Sequence, residues 1–238
     1  MLVIQRPTVE VESELDGNRQ QFAVGPLERG FGHTLGNSLR RTLLSSIPGA
    51  AVTQVRFDDA LHEFGTIDGV VEDITDIVLN LKDLEVCCYS DEPVTLRVDI
   101  RGAADVTAEV LATNDEVEIV NPDLHLATVN AKARLAFELT IERGRGFQPS
   151  DRIVEEPVIG VIPVDALFSP VRRVAFDVSP IRVEQSSDFD RLVMDIETDG
   201  TITPREALAS AGATLRSLIQ LVEEMSDEPQ GLELSEAE

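Results

Sequence analysis

The stretch GPLERGFGHTLGNSLRRTLLSSIPG, Gly25 to Gly49, sets the organisation of the chain. It reads as a short loop feeding a helix: Thr34 is placed to cap the first turn, Leu35, Leu39 and Leu43 recur every fourth residue, and Pro48-Gly49 stops the run. On the other side Asn37, Ser38, Arg41 and Ser45 form a strip of small polar residues around one long cation. A guanidinium clear of neighbouring bulk can present its fixed fork of donors to a partner's carboxylates or carbonyls. A solvated arginine face is the plainer reading of the same residues.

A second helix is expected near the end. Thr203, Pro204 and Glu206 spell a capping box with proline at the first helical position. Leu208, Ala211, Leu215, Leu218, Val222 and Met225 then follow at spacings of three and four, the seam of a helix laid lengthwise on another, and Gly212 and Ile219 widen it. After Met225 the acids Asp227, Glu228, Glu233, Glu236 and Glu238 have no compensating Lys or Arg, so residues 227–238 are expected to be a disordered tail.

Between these helices the character of the chain changes twice. Residues 2–11 read as an edge strand or arm and 20–24 as a strand entering a Gly25-Pro26 turn. From Ala51 short alternating runs predict strands at 84–89, 94–100, 106–111, 116–120 and 132–142, interrupted by one helix carrying Val70, Ile74, Ile77 and Leu81. Arg143-Gly-Arg-Gly146 reads as a flexible basic turn and 149–157 as an acidic loop. Strands return at 171–178 and 181–184, parted by Ser179-Pro180, and along Leu192 to Thr198. The fold expected is α+β: a discontinuous domain of residues 1–48 and 170–226, an antiparallel sheet plus two helices, with a β-rich domain of 49–169 inserted.

Composition limits function. With 238 residues and 42% hydrophobic content the chain can bury a substantial core, but 4% aromatics and no Trp leave no stacking platform for single strands. A formal net charge of -24 repels phosphate, so direct contact with nucleic acid is not expected. Cys87 and Cys88 are adjacent on a strand-like run and form neither a metal motif nor a disulfide framework, as suits a reducing cytosol. Neither a signal peptide nor a membrane-spanning run is recognisable, and a cytoplasmic location is expected.

Catalytic motifs fail on inspection. The Gly30–Ser38 loop invites a phosphate-binding reading, yet Phe31 stands where the P-loop needs Gly, Asn37 where it needs Lys, and Leu35 at the third glycine of a dinucleotide fingerprint. His33, His62 and His125 have no metal-ligand spacing; His33 reads as an aid to helix capping. Asp188 and Asp190 around Phe189 read as a solvated turn, and no Ser sits in a G-x-S-x-G context. No cofactor, metal or catalytic residue is expected.

The Gly25–Gly49 run resembles the signature helix of the bacterial RNA polymerase alpha subunit, in its amino-terminal assembly domain. Similarity continues in the same order through Gly49-Ala-Ala-Val52, Leu61-His-Glu-Phe64, Val71-Glu-Asp-Ile74, Leu79-Asn-Leu-Lys82, the Glu142–Gly146 turn, Ser169-Pro-Val171, Arg182-Val-Glu-Gln185 and Asp188-Phe-Asp190. The resemblance implies a homodimer that carries the beta and beta prime subunits, in a holoenzyme with omega and sigma, and that has no active site of its own. By position it assigns Arg41, supported by Leu44, to the docking of beta, and Lys82 and Val164 to contacts with the large subunits. It implies dimerisation through the two helices, and their apolar spacing places the expected dimer interface at Leu35, Leu39 and Leu43 with Leu208, Ala211, Leu215, Leu218 and Val222. The family continues into a DNA- and activator-contacting domain, whereas these residues run into an acidic tail, and promoter contact is left unassigned. Two other readings remain: an acidic scaffold of another assembly, and a nucleotide-binding enzyme using Gly30–Ser38.

Overall fold

The computed structural model describes the backbone of residues 3–4, 6–111, 115–150, 159–183, 186–225 and 233–234, with side chains described for 6–111, 115–150, 159–182 and 189–225. From the amino terminus run β1 (Val3–Ile4), β2 (Thr8–Val11), β3 (Arg19–Glu28), α1 (Phe31–Ser46) and β4 (Pro48–Phe57). Next come α2 (Ile74–Lys82), β5 (Val86–Cys88), β6 (Val94–Arg101), β7 (Ala104–Thr107), β8 (Val117–Ile119), β9 (His125–Val129) and β10 (Arg134–Arg145). The remainder is β11 (Phe147–Gln148), β12 (Val161–Pro163), β13 (Ala166–Leu167), β14 (Val171–Val183), β15 (Ser186–Thr198), α3 (Pro204–Glu223) and β16 (Glu233–Leu234). The architecture is α+β. Contacts divide it into two units, Met1–Ile47 with Pro170–Glu238, and Pro48–Ser169.

In the first unit an antiparallel sheet of order β14-β15-β3-β2 supports α1 and α3. Its inner side chains, Phe22, Val24, Leu192, Met194 and Ile196, share one core with Leu39 and Leu43 of α1 and Ala207 and Ala211 of α3. α3 starts as the sequence dictates: Thr203 Oγ1 accepts from the Glu206 backbone N–H at 3.3 Å, and Glu206 Oε2 accepts from the Thr203 N–H at 3.1 Å. The start of α1 differs from expectation. Gly30, in the left-handed region at φ 88°, is the N-cap, and Thr34 lies one turn inside the helix with its hydroxyl donating to the Gly30 carbonyl. The free N–H groups are satisfied from elsewhere: Asp190 Oδ2 on β15 accepts from Gly30 N at 2.8 Å and Gly32 N at 3.3 Å. Asp190 is thus a remote cap and not part of a solvated turn; the Asp188 side chain lies outside the described residues. His33 sits inside α1, edge-on to Phe176 with ring centroids 6.4 Å apart, and does no capping.

Several breaks expected from proline and glycine are absorbed into strands. β3 runs through the Gly25-Pro26 peptide, which is cis. β14 passes unbroken through Ser179-Pro180, because it is the edge strand and pairs only with β15, Pro180 opposite Asp190. Of the acidic tail, 227–232 and 235–238 lie outside the described residues; within it Glu233–Leu234 pairs in parallel with Val3–Ile4.

The second unit is built on a sheet of order β12-β4-β10-β6, with the two-stranded pairs β11-β13, β5-β8 and β7-β9, all antiparallel. Leu135, Phe137, Leu139 and Ile141 of β10 face the core, as their alternation requires. α2 is shorter than its apolar spacing implies. Asp73 caps it, accepting from Asp76 N at 2.8 Å, while Val70 lies outside the helix and bridges to Val129. The strand His125–Val129 has no counterpart among the expected runs. The basic turn is not a turn: β10 continues through Arg143 and Arg145, pairing Gly144 with Gly49 and Arg145 with Pro48. Gly144 is required there, since a Cβ would stand 2.7 Å from the Phe168 ring.

Candidate docking surfaces

Arg41 lies on the exposed side of α1, beside Leu44, which is 38% exposed. The polar strip around it turns its hydroxyls inward. Ser38 donates to the Thr34 carbonyl at 2.8 Å, Thr42 to Ser38 at 2.9 Å and Ser45 to Arg41 at 2.7 Å, each four residues back along the helix. These hydroxyls are therefore spent on the helix, which leaves the exposed Asn37 amide and the Arg41 guanidinium, with exposed Arg40 beside it, as the outward donors. Among the described residues Arg41 has no ion-pair partner. Some other cations are engaged by the protein's own carboxylates: Arg143 meets Asp91 at 2.7 Å, Arg19 pairs with Asp195 and Arg191 with Glu12.

The Gly30–Ser38 loop is poorly suited to a phosphate. The N–H groups that would receive one already bind the Asp190 carboxylate, so an incoming anion meets a negative charge at the place where a P-loop offers none. Gly32 and Gly36 serve packing instead. A Cβ on Gly36 would stand 2.8 Å from the Phe176 ring and 2.9 Å from Leu192.

The helical seam divides into three groups. Leu43 and Ala211 are fully buried in the core of their own unit and, as placed, offer no surface to a second copy. Leu39, 6% exposed, and the half-buried Leu35, Leu208 and Leu215 touch both that core and an open groove of ≈ 1090 Å³ between α1 and α3 or its continuation toward β2. Leu218 and Val222 are exposed, together with Ile219, Leu221 and Met225. Phe31 at the start of α1 is also exposed and lines the same groove. Phe31 precedes the spacing of α1, and Leu221, although three residues after Leu218 and four before Met225, lies beside the row that runs through Val222; sequence reasoning left both out.

In the second unit Lys82 closes α2, and its ammonium meets Asp165 at 3.2 Å. The Asp165 carboxyl is held below the usual carboxylate range, first by the Ser150 N–H at 2.9 Å and then by Lys82. Val164 next to it is 1% exposed. Its side chain belongs to the core and its N–H donates to the Thr53 carbonyl.

Residues 55–169 match the family model described as the RNA polymerase Rpb3/RpoA insert domain. Over 235 residues the chain is 53% identical to the DNA-directed RNA polymerase subunit alpha of Kineococcus radiotolerans, covering 98% of this chain and 69% of that protein. The chain belongs to the bacterial RNA polymerase alpha subunit family. This alpha subunit therefore takes part in DNA-templated transcription as a component of a nucleotidyltransferase complex. Among the described residues no group of three His, Cys, Asp or Glu is placed to hold a metal ion, and no helix is long and apolar enough to cross a membrane.

Proposed function

We propose that the chain is a non-catalytic platform: two copies associate through the α1 and α3 faces, and the dimer receives the beta and beta prime subunits in the cytoplasm. The observation that carries this reading is the exposed apolar stripe on the second half of α3, Leu218, Ile219, Leu221 and Val222, with Met225 just beyond the helix, continuous with a groove against α1. A protein with so acidic a surface gains nothing from exposing such a stripe to water, and a second copy supplies the matching one.

Arg41 and Leu44 dock one large subunit, the unpaired guanidinium seeking a carboxylate or a row of carbonyls. Lys82 docks another, and must exchange Asp165 for its partner or present both as a pair. The test is reconstitution of the full chain with the large subunits. Arg41→Ala leaves the dimer intact and impairs capture of beta; monomers, or normal capture, would remove the role given to that side chain.

A further inference from the structure

Outside these surfaces, in the second unit, one histidine is held between two carboxylates. Nε2 of His125 on β9 lies 3.0 Å from Glu72 Oε1, and its Nδ1 lies 2.8 Å from Asp105 Oδ1 on β7. Neutral imidazole has one N–H, whereas both neighbours are acceptors, so only the imidazolium satisfies both contacts. Glu72 carries more than this bond. Its carboxylate also accepts from the Thr128 N–H at 2.6 Å and the Thr128 hydroxyl at 3.0 Å. The backbone joins at the same place: Val71 N donates to the Thr128 carbonyl, Asn130 N to that of Gly69, and Val70 bridges Val129.

The segment fixed in this way, 69–73, is the approach to α2 and ends in its N-cap Asp73. Beyond it the helix start holds another loop, with Thr75 Oγ1 donating to the Glu63 carbonyl at 2.9 Å and Ile74 N to that of Gly65 at 3.2 Å. That loop carries Leu61 and Phe64, 70% and 83% exposed.

The geometry points to a proton-operated clasp, Glu72–His125–Asp105, that fastens the 69–73 segment, and with it the start of α2, when His125 is charged. Glu72 and Asp105 are the charged groups that face the imidazole. They raise its pKa above the ordinary 6.5, the Glu72 bond being the largest cause, with burial opposing and Asp105 adding. Burial works to raise the Glu72 carboxyl, but the Thr128 N–H and His125 outweigh it and hold Glu72 below its ordinary 4.5. The His125 contribution is therefore complete below pH 6.5 and is lost as pH rises through the imidazole's own, higher pKa. The Glu72 contribution is present above pH 4.5 and is lost as pH falls through its depressed value.

The test uses the full chain and two readouts. Imidazole NMR, with His125→Gln assigning the signal, follows the titration directly, and Asp105→Asn shifts the His125 midpoint downward. Amide exchange at Val71 and Thr128, corrected for intrinsic pH dependence, reports the fastening. Protection falls roughly five- to tenfold across the His125 midpoint, the ratio expected for loss of about one net hydrogen bond, and His125→Gln removes that pH dependence. A midpoint at or below the ordinary imidazole value, or the same pH course of protection in the parent and His125→Gln proteins, would overturn the clasp.

Discussion

α2 and α3 carry the same kind of apolar spacing and meet opposite fates. In α2 the periodic residues Ile74, Ile77 and Leu81 are all fully buried within their own unit. In α3 the stripe is buried at Ala207 and Ala211, half-buried at Leu208 and Leu215, and exposed from Leu218 onward. Periodicity identifies a face that avoids water. It does not say whether the same chain or another molecule covers it.

The sharpest way to break this contrast is to remove a periodic leucine from α2. Leu81→Ala leaves a cavity in a sealed core and lowers the unfolding free energy of the chain by about 2–5 kcal/mol in urea titration. It leaves dimerisation intact at temperatures where the chain stays folded. A loss below about 1 kcal/mol would show the α2 face to be less completely packed than its burial indicates.

Next in size come the close approaches that each unit makes through a glycine. Gly36→Ala drives a methyl into Phe176 and Leu192, and Gly144→Ala drives one into the Phe168 ring. Each is expected to cost about 1–3 kcal/mol of stability, the usual range for overpacking. Gly36 gains helix propensity on becoming alanine, which offsets roughly 1 kcal/mol, so Gly144→Ala is the more damaging of the two. If Gly36→Ala proves stabilising, Phe176 and Leu192 yield by side-chain rotation, and α1 is held less tightly to the sheet than α2 is to its core.

A smaller effect is expected at the start of α1. Asp190→Ala removes the carboxylate that caps Gly30 and Gly32 and costs about 0.5–2 kcal/mol, the range for loss of an N-cap. α2 has its cap, Asp73, next to it in sequence, so the comparison between a local and a remote cap is direct. Asp190→Asn retains an acceptor and should recover part of the loss in thermal unfolding. Equal losses for the two variants would mean that the negative charge, not the hydrogen bonds, holds the helix end.

These cases also mark where sequence legibility ends. The α+β class, the capping box of α3 and the buried face of β10 follow from spacing over a few residues and were readable. What was not readable depended on partners far along the chain. The cap of α1 comes from Asp190, the need for Gly144 from Phe168, and the fastening of 69–73 from Thr128 and His125. Proline and glycine misled at Pro180 and Arg143–Gly146 for a related reason. An edge strand tolerates a missing N–H, and only the tertiary neighbour shows that a glycine is there for contact instead of for a bend. At the candidate site the exposure of Arg41 was legible from its small neighbours. The burial of Val164, Leu43 and Ala211 was not, because an apolar residue reads alike in a core and at an interface.

The least effect on the protomer is expected where the apolar stripe is already in water. Leu218→Ala combined with Val222→Ala removes no contact that buries these side chains within one chain, so the unfolding free energy of the protomer should change by no more than about 0.5 kcal/mol. Association is the quantity that should respond. For a protein that dimerises through this stripe, the thermal midpoint rises with protein concentration by mass action, and the double variant flattens that dependence. Sedimentation should show weaker dimers at the same concentrations. An unchanged dimer would discard the stripe as the seam. A large loss of protomer stability with the concentration dependence intact would mean that Leu218 and Val222 are covered by their own chain, which would erase the difference between the two helices.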